Sequence, residues 1–284
     1  MPRTPLPLLL ALGALALCSC GKGGARTVTV SASSQGAGTS STPNGGAKTN
    51  STPGGSTTQP DEASPNGKKP SQGRALAFAR AVNLTADDVP GFTPSEKHDD
   101  TSAREKRLES EMVKCAGTSA GLHAGSGGAA GESKALAEQS SKDFQLKHGV
   151  IDFSVSSQVS VQNDAGEARK ALQAIRSAHV RDCFSHFLKL LFEGEHLKGA
   201  KVGPVSIQAG VPPAPGTTGG FGWRITASFF VRGVKVPVYL DFLGFVDGPA
   251  EVTLLSSGLI RPFPAEVQQQ LFSLLLSRAK GHKL

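Results

Sequence analysis

Apolar and polar residues alternate most clearly at residues 150–161. Ile151, Phe153 and Val155 alternate with polar neighbours, and Val159 and Val161 resume the pattern. A period of two marks a half-buried strand, and residues 144–146 begin another just before it. After Asp164 the period changes. Ala168, Leu172, Ile175, Cys183, Phe187 and Leu190 recur at helical spacing, which predicts one long helix from an Asp164 cap to about Phe192. His179 lies in the same stripe and reads as a partly buried packing residue. Residues 201–208 predict a strand. Residues 210–220 hold Pro212, Pro213, Pro215 and four glycines, and predict a loop.

Three strands follow, at 221–231, 234–246 and 250–255. Arg232-Gly233 and Asp247-Gly248 join them, and Asp-Gly is a strong hairpin signal. Pro237 lacks a backbone donor, so the middle strand is expected to bulge or leave a position unpaired there. Pro264 suits the first turn of a closing helix. Val267, Leu271, Leu274 and Leu275 make its buried face, and Arg278, Lys280 and Lys283 gather at its C-terminal end, where cations are favoured.

Before the strands, residues 74–82 predict a short Ala-rich helix. Thr85 can cap a single turn, and Pro90-Gly91 forces a bend. A further helix runs from a Thr101 or Ser102 cap to about Cys115, with Leu108, Met112 and Cys115 on one face. Residues 116–131 are mostly Gly, Ala and Ser and read as a mobile loop. The order is helices, strands, a long helix, an antiparallel meander and a closing helix. That is an α+β domain, one antiparallel sheet with packed helices.

The first 73 residues differ in kind. Arg3 precedes an apolar stretch at 6–17, too short to cross a bilayer as a permanent helix, since crossing needs about 20 apolar residues. A basic start, an apolar middle and small residues at the end are the layout of a secretory signal. Leu17-Cys18-Ser19-Cys20 resembles the lipobox of bacterial lipoproteins. The resemblance implies removal of residues 1–19 and acylation of Cys20, which tethers the chain to the outer face of a membrane. The alternative is an ordinary signal peptide with incidental cysteines. Residues 21–73 are Gly, Ser, Thr, Pro, Ala, Asn and Gln with few apolar side chains. Such a segment buries too little apolar surface to offset ordering entropy. As a flexible coil of about 50 residues it reaches on the order of 40 Å. The organisation is thus a signal at 1–19, a lipidated stalk at 20–73 and a domain at 74–284. Asn50-Ser51-Thr52 and Asn83-Leu84-Thr85 match the glycosylation sequon, a reading of little weight in a bacterial lipoprotein.

The net charge of +7 is spread along the chain without a polybasic run or a basic aromatic stripe, so nucleic acid is not an expected partner. A mild positive charge fits anionic lipid heads or wall polymers, and fits general solubility equally well. Of four cysteines, Cys18 leaves with the signal and Cys20 is acylated. Cys115 and Cys183 remain in an oxidising compartment, where a leftover pair most often forms a disulfide. Closing about 70 residues would contribute roughly 4 kcal/mol in the chain-entropy model. The alternative is thiol or metal chemistry, because His179 lies four residues before Cys183 and the two can face one way on a helix.

One resemblance bears on the whole domain. The turn at 84–92, a cysteine after the next helix, the strand at 154–161, then Asp164, Ala168 and Cys183 on a helix resemble the sensor-like extracellular domains of actinobacterial lipoproteins and receptor kinases. The resemblance covers about residues 74–279. It implies a PsbP-like sandwich of helices around an antiparallel sheet, with disulfides tying helices to the core. The ligand of such domains is mostly undefined.

Catalytic signatures are absent from the sequence. No Gly-x-Ser-x-Gly elbow, His-Glu-x-x-His helix or phosphate-binding glycine loop occurs, and no cofactor or metal signature accompanies them. Asp87-Asp88 and Asp99-Asp100 are adjacent acids of the kind usually solvated. Asp241 interrupts an apolar strand; if it faces inward it needs a partner such as Arg224. Three functions remain open. The first is a non-catalytic surface lipoprotein that binds a ligand or partner protein at the cell envelope. The second is a carrier of lipid or another apolar molecule, lined by Phe229, Phe230, Tyr239, Phe242 and Phe245, unless those residues fill the core. The third is an unrecognised envelope enzyme.

Overall fold

The structure is a computed structural model that describes residues 69–95, 103–117, 135–194 and 200–284. The lipobox with Cys20, the stalk to residue 68, the Asn50 sequon, Asp99-Asp100, the caps Thr101 and Ser102 and nearly all of the 116–131 segment lie outside those residues.

Helix α1 (Gln72–Val82) starts two residues before Arg74 and is capped by Ser71, whose hydroxyl accepts the Arg74 amide. Its buried face is Ala75, Phe78, Ala79 and Val82. A single 3-10 turn follows at Ala86–Asp88. There the Asp88 carboxylate reaches back to the Thr85 amide at 2.7 Å and the Thr85 hydroxyl at 2.9 Å. Then come β1 (Thr93–Ser95), α2 (Ala103–Ala116), β2 (Ala137–Ser140), β3 (Asp143–His148) and β4 (Ile151–Val161). After them lie α3 (Ala165–Arg176), α4 (Ala178–Gly194), β5 (Ala200–Gly210), β6 (Gly219–Val231), β7 (Val234–Asp247), β8 (Ala250–Leu259) and α5 (Ala265–Gly281). The strands form one antiparallel sheet in the order β1-β3-β4-β8-β7-β6-β5, and β2 pairs with the second half of β4. The chain is α+β with helices packed on the sheet.

Strand alternation sorts side chains onto two faces. On the first, Phe144, Val155, Val159, Val161, Phe245, Val252 and Leu254 meet α1 and α5. On the second, Phe221, Trp223, Ile225, Phe229 and Val246 meet α2, α3 and α4 through Met112, Leu172, Ile175, Phe184 and Phe192. Consecutive residues Phe245 and Val246 thus serve opposite cores. Gly244 lies opposite Phe221 in the β6–β7 pair, and the Phe221 ring occupies the space a Cβ would need. Gly258 likewise lets the chain at Arg261 and Pro262 fold back against β8.

Three expectations are corrected. The long helix is two helices, because it breaks at Ser177. Ser177 ends α3, and its hydroxyl accepts the Val180 amide at 3.1 Å to start α4. A serine hydroxyl competes for backbone donors in this way. The break re-phases α4, so Val180, Phe184, Leu188 and Phe192 are its core residues together with Cys183, while Phe187 is only half-buried. Second, of the two outcomes expected at Pro237, the bulge does not occur, since β6 and β7 pair in register there, while the unpaired position does, since the β7–β8 ladder stops at Val238/Leu259. The Pro237 carbonyl accepts the Ile260 amide at 2.9 Å, past the end of β8. In an antiparallel strand the two polar atoms of a residue point to one side, so the missing donor faces that frayed end and not β6. The irregularity falls instead at Val202/Val205 in β5. Third, β8 runs to Leu259, four residues past the expected end, because Ser256, Ser257 and Gly258 pair with both β4 and β7.

Candidate functional site

Cys115 at the end of α2 and Cys183 in α4 form a disulfide with Cα atoms 5.9 Å apart, inside the usual range. His179 is exposed and does not pack in the core as its stripe suggested. Its Nε2 lies 2.7 Å from the Cys115 carbonyl oxygen and 3.8 Å from Cys183 Sγ. The carbonyl can only accept, so this ring nitrogen donates to a carbonyl in the last turn of α2. The three side chains could group around a metal ion, but zinc binds thiolates and the disulfide consumes both sulfurs. The corner is a structural clasp between two helices.

Asn83 is a network residue. Its Nδ2 donates to the Gln139 carbonyl at 2.8 Å, and its Oδ1 accepts the Ser157 hydroxyl at 2.7 Å. The Ser157 hydroxyl in turn accepts the Leu84 amide at 2.9 Å. A buried, hydrogen-bonded amide is a poor glycan acceptor, which argues against use of the second sequon. Of the Asp87-Asp88 pair, Asp88 holds Arg278 through two bonds, Nη1 to Oδ2 at 2.8 Å and Nη2 to Oδ1 at 2.7 Å. Arg278 Nη1 also donates to the Asn83 carbonyl. Partial burial works against a charged Asp88, but the bonds from Arg278 and from the Thr85 amide and hydroxyl outweigh it and hold the carboxyl below its usual range. These residues fasten the N-terminal segment to α5 and leave no open acid pair.

Asp241 does face inward and takes the partner the sequence suggested. Arg224 Nε meets Oδ1 at 2.7 Å and Nη2 meets Oδ2 at 3.0 Å. Gln268 of α5 donates to Asp241 Oδ2 at 3.1 Å and to the Ser256 hydroxyl at 2.6 Å. Bidentate guanidinium–carboxylate pairing is strong and directional. It raises the Arg224 pKa above its ordinary value, chiefly through the bond to Asp241. Asp241 is 3% exposed, whereas the Arg224 side chain is 45% exposed. The first face is therefore closed at β7 and β8, where α5 packs, and opens beyond them. Cross-strand register places Gln208 beside Arg224, and Ser206, Thr226 and Tyr239 in the next row. Ser206 and Gln208 are exposed, Thr226 and Tyr239 half-exposed. Pro212 of the loop after β5 lies against Gly220 and Gly222 and walls this floor at one end. The sequence signalled the charged pair; the polar row around it requires the register.

The aromatic residues considered as a carrier lining separate. Phe229 and Phe242 belong to the second core, where Phe192 packs edge-on to Phe229 and Phe184 edge-on to Phe242. Phe245 belongs to the first, edge-on to Phe272. Phe230 is exposed and Tyr239 half-exposed. Side chains on opposite faces of one sheet cannot line one cleft.

No established protein family matches the sequence, and no curated protein matches it. Among solved structures, the extracellular domain of PknH from Mycobacterium tuberculosis is similar, at 9% identity and a TM-score of 0.41, covering 75% of this chain and 98% of that one. Among the described residues no helix is long and apolar enough to cross a membrane.

Proposed function

We propose that the chain is a surface lipoprotein, anchored by acylated Cys20 to the extracytoplasmic face of the cell membrane, whose α+β domain is non-catalytic and binds a ligand or partner protein at the envelope. The observation that carries the binding reading is the open polar floor of β5, β6 and β7. There an Arg224–Asp241–Gln268 network holds the Arg224 side chain, 45% exposed, at the surface. Preorganised polar groups of this kind orient a partner at little entropic cost. The carrier alternative is weakened because Phe229, Phe242 and Phe245 fill two separate cores. The enzyme alternative is weakened because Asp88 and Asp241 are each committed to an arginine.

The test is photo-crosslinking from position 208 in the intact, membrane-anchored protein, with a second crosslinker at Arg169 on α3 as control. A discrete adduct from position 208 that is lost on Thr226→Arg supports the floor as the contact surface. Identical adducts from both positions, or persistence in Thr226→Arg, would remove it. Mass spectrometry of the membrane fraction tests the anchor: an acylated peptide beginning at Cys20 is expected, and a mature chain beginning elsewhere rules the anchor out.

A further inference from the structure

Among the described residues, three of the four exposed large apolar side chains gather at one end of the sheet. Val150, 59% exposed, sits in the β3–β4 turn; Phe230 at 37% and Val234 at 64% flank the β6–β7 turn. Register puts the two turns together. Asp152 and Val238 pair with the two sides of Leu259, so β4 and β7 are two strand spacings apart, about 10 Å. The β6–β7 hairpin continues four residues past that level to Val234, a projection of roughly 13 Å. Arg232 and Gly233 both have positive φ, 52° and 85°, which makes the tip a tight turn of the kind that fits strand twist.

Cations surround these apolar groups. Lys147 lies at the end of β3, Lys201 is paired opposite Phe230, Arg232 and Lys235 are in the projecting tip, and Arg261 follows β8. All five are exposed. The carboxylates near this end among the described residues are Asp152, half-buried behind the tips, Glu193 at the end of α4 and Glu266 in the first turn of α5; none is in a tip. Protein-binding cores favour flat or concave packing with few charges at the centre. Narrow projecting tips that interleave apolar side chains with Lys and Arg suit a bilayer surface, where apolar groups enter the headgroup layer and cations meet lipid phosphates.

We propose that this end of the sheet docks on an anionic lipid bilayer, with Val150, Phe230 and Val234 entering the headgroup layer and Lys147, Lys201, Arg232 and Lys235 lying against lipid phosphates. The surface is distinct from the open floor around Arg224 and does not depend on the acyl chain at Cys20. An anchored domain with such a surface would rest against the membrane at the end of its stalk.

The experiment uses the mature chain, residues 20–284 carrying Cys20→Ala, so that neither the apolar stretch at 6–17 nor an acyl chain contributes. Co-sedimentation is measured with vesicles of phosphatidylglycerol mixed with phosphatidylcholine, and with phosphatidylcholine alone. Binding to the anionic vesicles alone, weakening with salt, is expected. Arg232→Glu and Lys235→Glu should each weaken it on the order of tenfold or more, and Phe230→Ser with Val234→Ser should remove the part that resists salt. Arg232, Val234 and Lys235 are exposed, so changes there should keep the parent melting curve. The Phe230 ring also lies against Gly203, so its variant is compared at a temperature where its own melting curve shows it folded. Arg169→Glu on α3 matches the charge change of each single tip variant elsewhere on the domain. Failure to bind the anionic vesicles, equal binding to neutral ones, or an equal loss in the α3 variant would overturn the proposal.

Discussion

The two faces of the sheet fasten their helices by different means. On the first face, α1 and the turn after it are held by long-range polar contacts. Asn83 bonds to Gln139 and Ser157, and Asp88 to Arg278 across 190 residues. On the second, α2 is joined to α4 by a covalent bond between Cys115 and Cys183. α1 buries Ala75, Phe78, Ala79 and Val82 against strands, and α2 buries Leu108, Met112 and Ala116 where it packs on α4. The comparison teaches that helices with similar buried faces are fastened differently: a covalent clasp where helix packs on helix, aimed hydrogen bonds where helix packs on sheet.

The largest expected effect tests whether both faces are full cores. Phe245→Ala on the first and Phe229→Ala on the second should each cost about 3–5 kcal/mol, read by denaturant unfolding. A loss below about 1 kcal/mol at either site would show that its face is loosely packed and reopen the carrier reading there. Next comes the clasp. Replacing Cys115 and Cys183 together by serine should cost about 4 kcal/mol in the chain-entropy model. Hydrogen exchange should show protection lost in α2 while α1 and α5 keep theirs. Loss spread evenly over all helices would contradict a local clasp.

The polar fastening is expected to be weaker and pH-dependent. Asp88→Ala leaves Arg278 without its carboxylate and should cost about 2–3 kcal/mol, below the usual figure for a buried pair because Arg278 is partly exposed. Asp88 has a lowered folded pKa. Its contribution is therefore complete above its unfolded value, about 3.9, and is lost as pH falls through the folded value. The difference between wild type and Asp88→Ala should accordingly shrink in strong acid. Were the difference to stay constant down to about pH 2, the ion pair would not be its source.

The smallest effect has the opposite sign. Asp152 is raised, by burial first, with Lys147 opposing, and its Oδ1 has no hydrogen-bond partner among the described residues. An acid raised in the fold costs stability when ionised and costs none below its unfolded value. Asp152→Asn should thus raise the melting temperature slightly at neutral pH, with the gain fading below about pH 4. A variant less stable than wild type at neutral pH would mean that the ionised carboxylate is needed.

Much of this was legible because local signals agreed with the global fold. The valines of β4, the Arg232-Gly233 and Asp247-Gly248 turns and the Asp164 cap each point to the observed element. The break at Ser177 was not legible, since an apolar stripe continues across it and serine is a mild breaker. β1 and β2 are short strands whose form comes from pairing with β3 and β4, which no local pattern announces. At the candidate sites, the cysteine pairing followed from compartment and count, and Arg224 was the partner suggested for Asp241. The polar row beside Arg224 and the clustering of Val150, Phe230 and Val234 depend on strand register, which brings together residues far apart in sequence.

The central claim is that function lies on the outer surface of a filled, tethered domain. Its most direct test is intact mass spectrometry of the protein isolated from its own membrane, recorded first under native and then under denaturing conditions. The account predicts one covalent acyl modification at Cys20, present in both spectra, and no further mass lost on unfolding. A stoichiometric apolar molecule released when the domain unfolds would contradict it and establish a carrier.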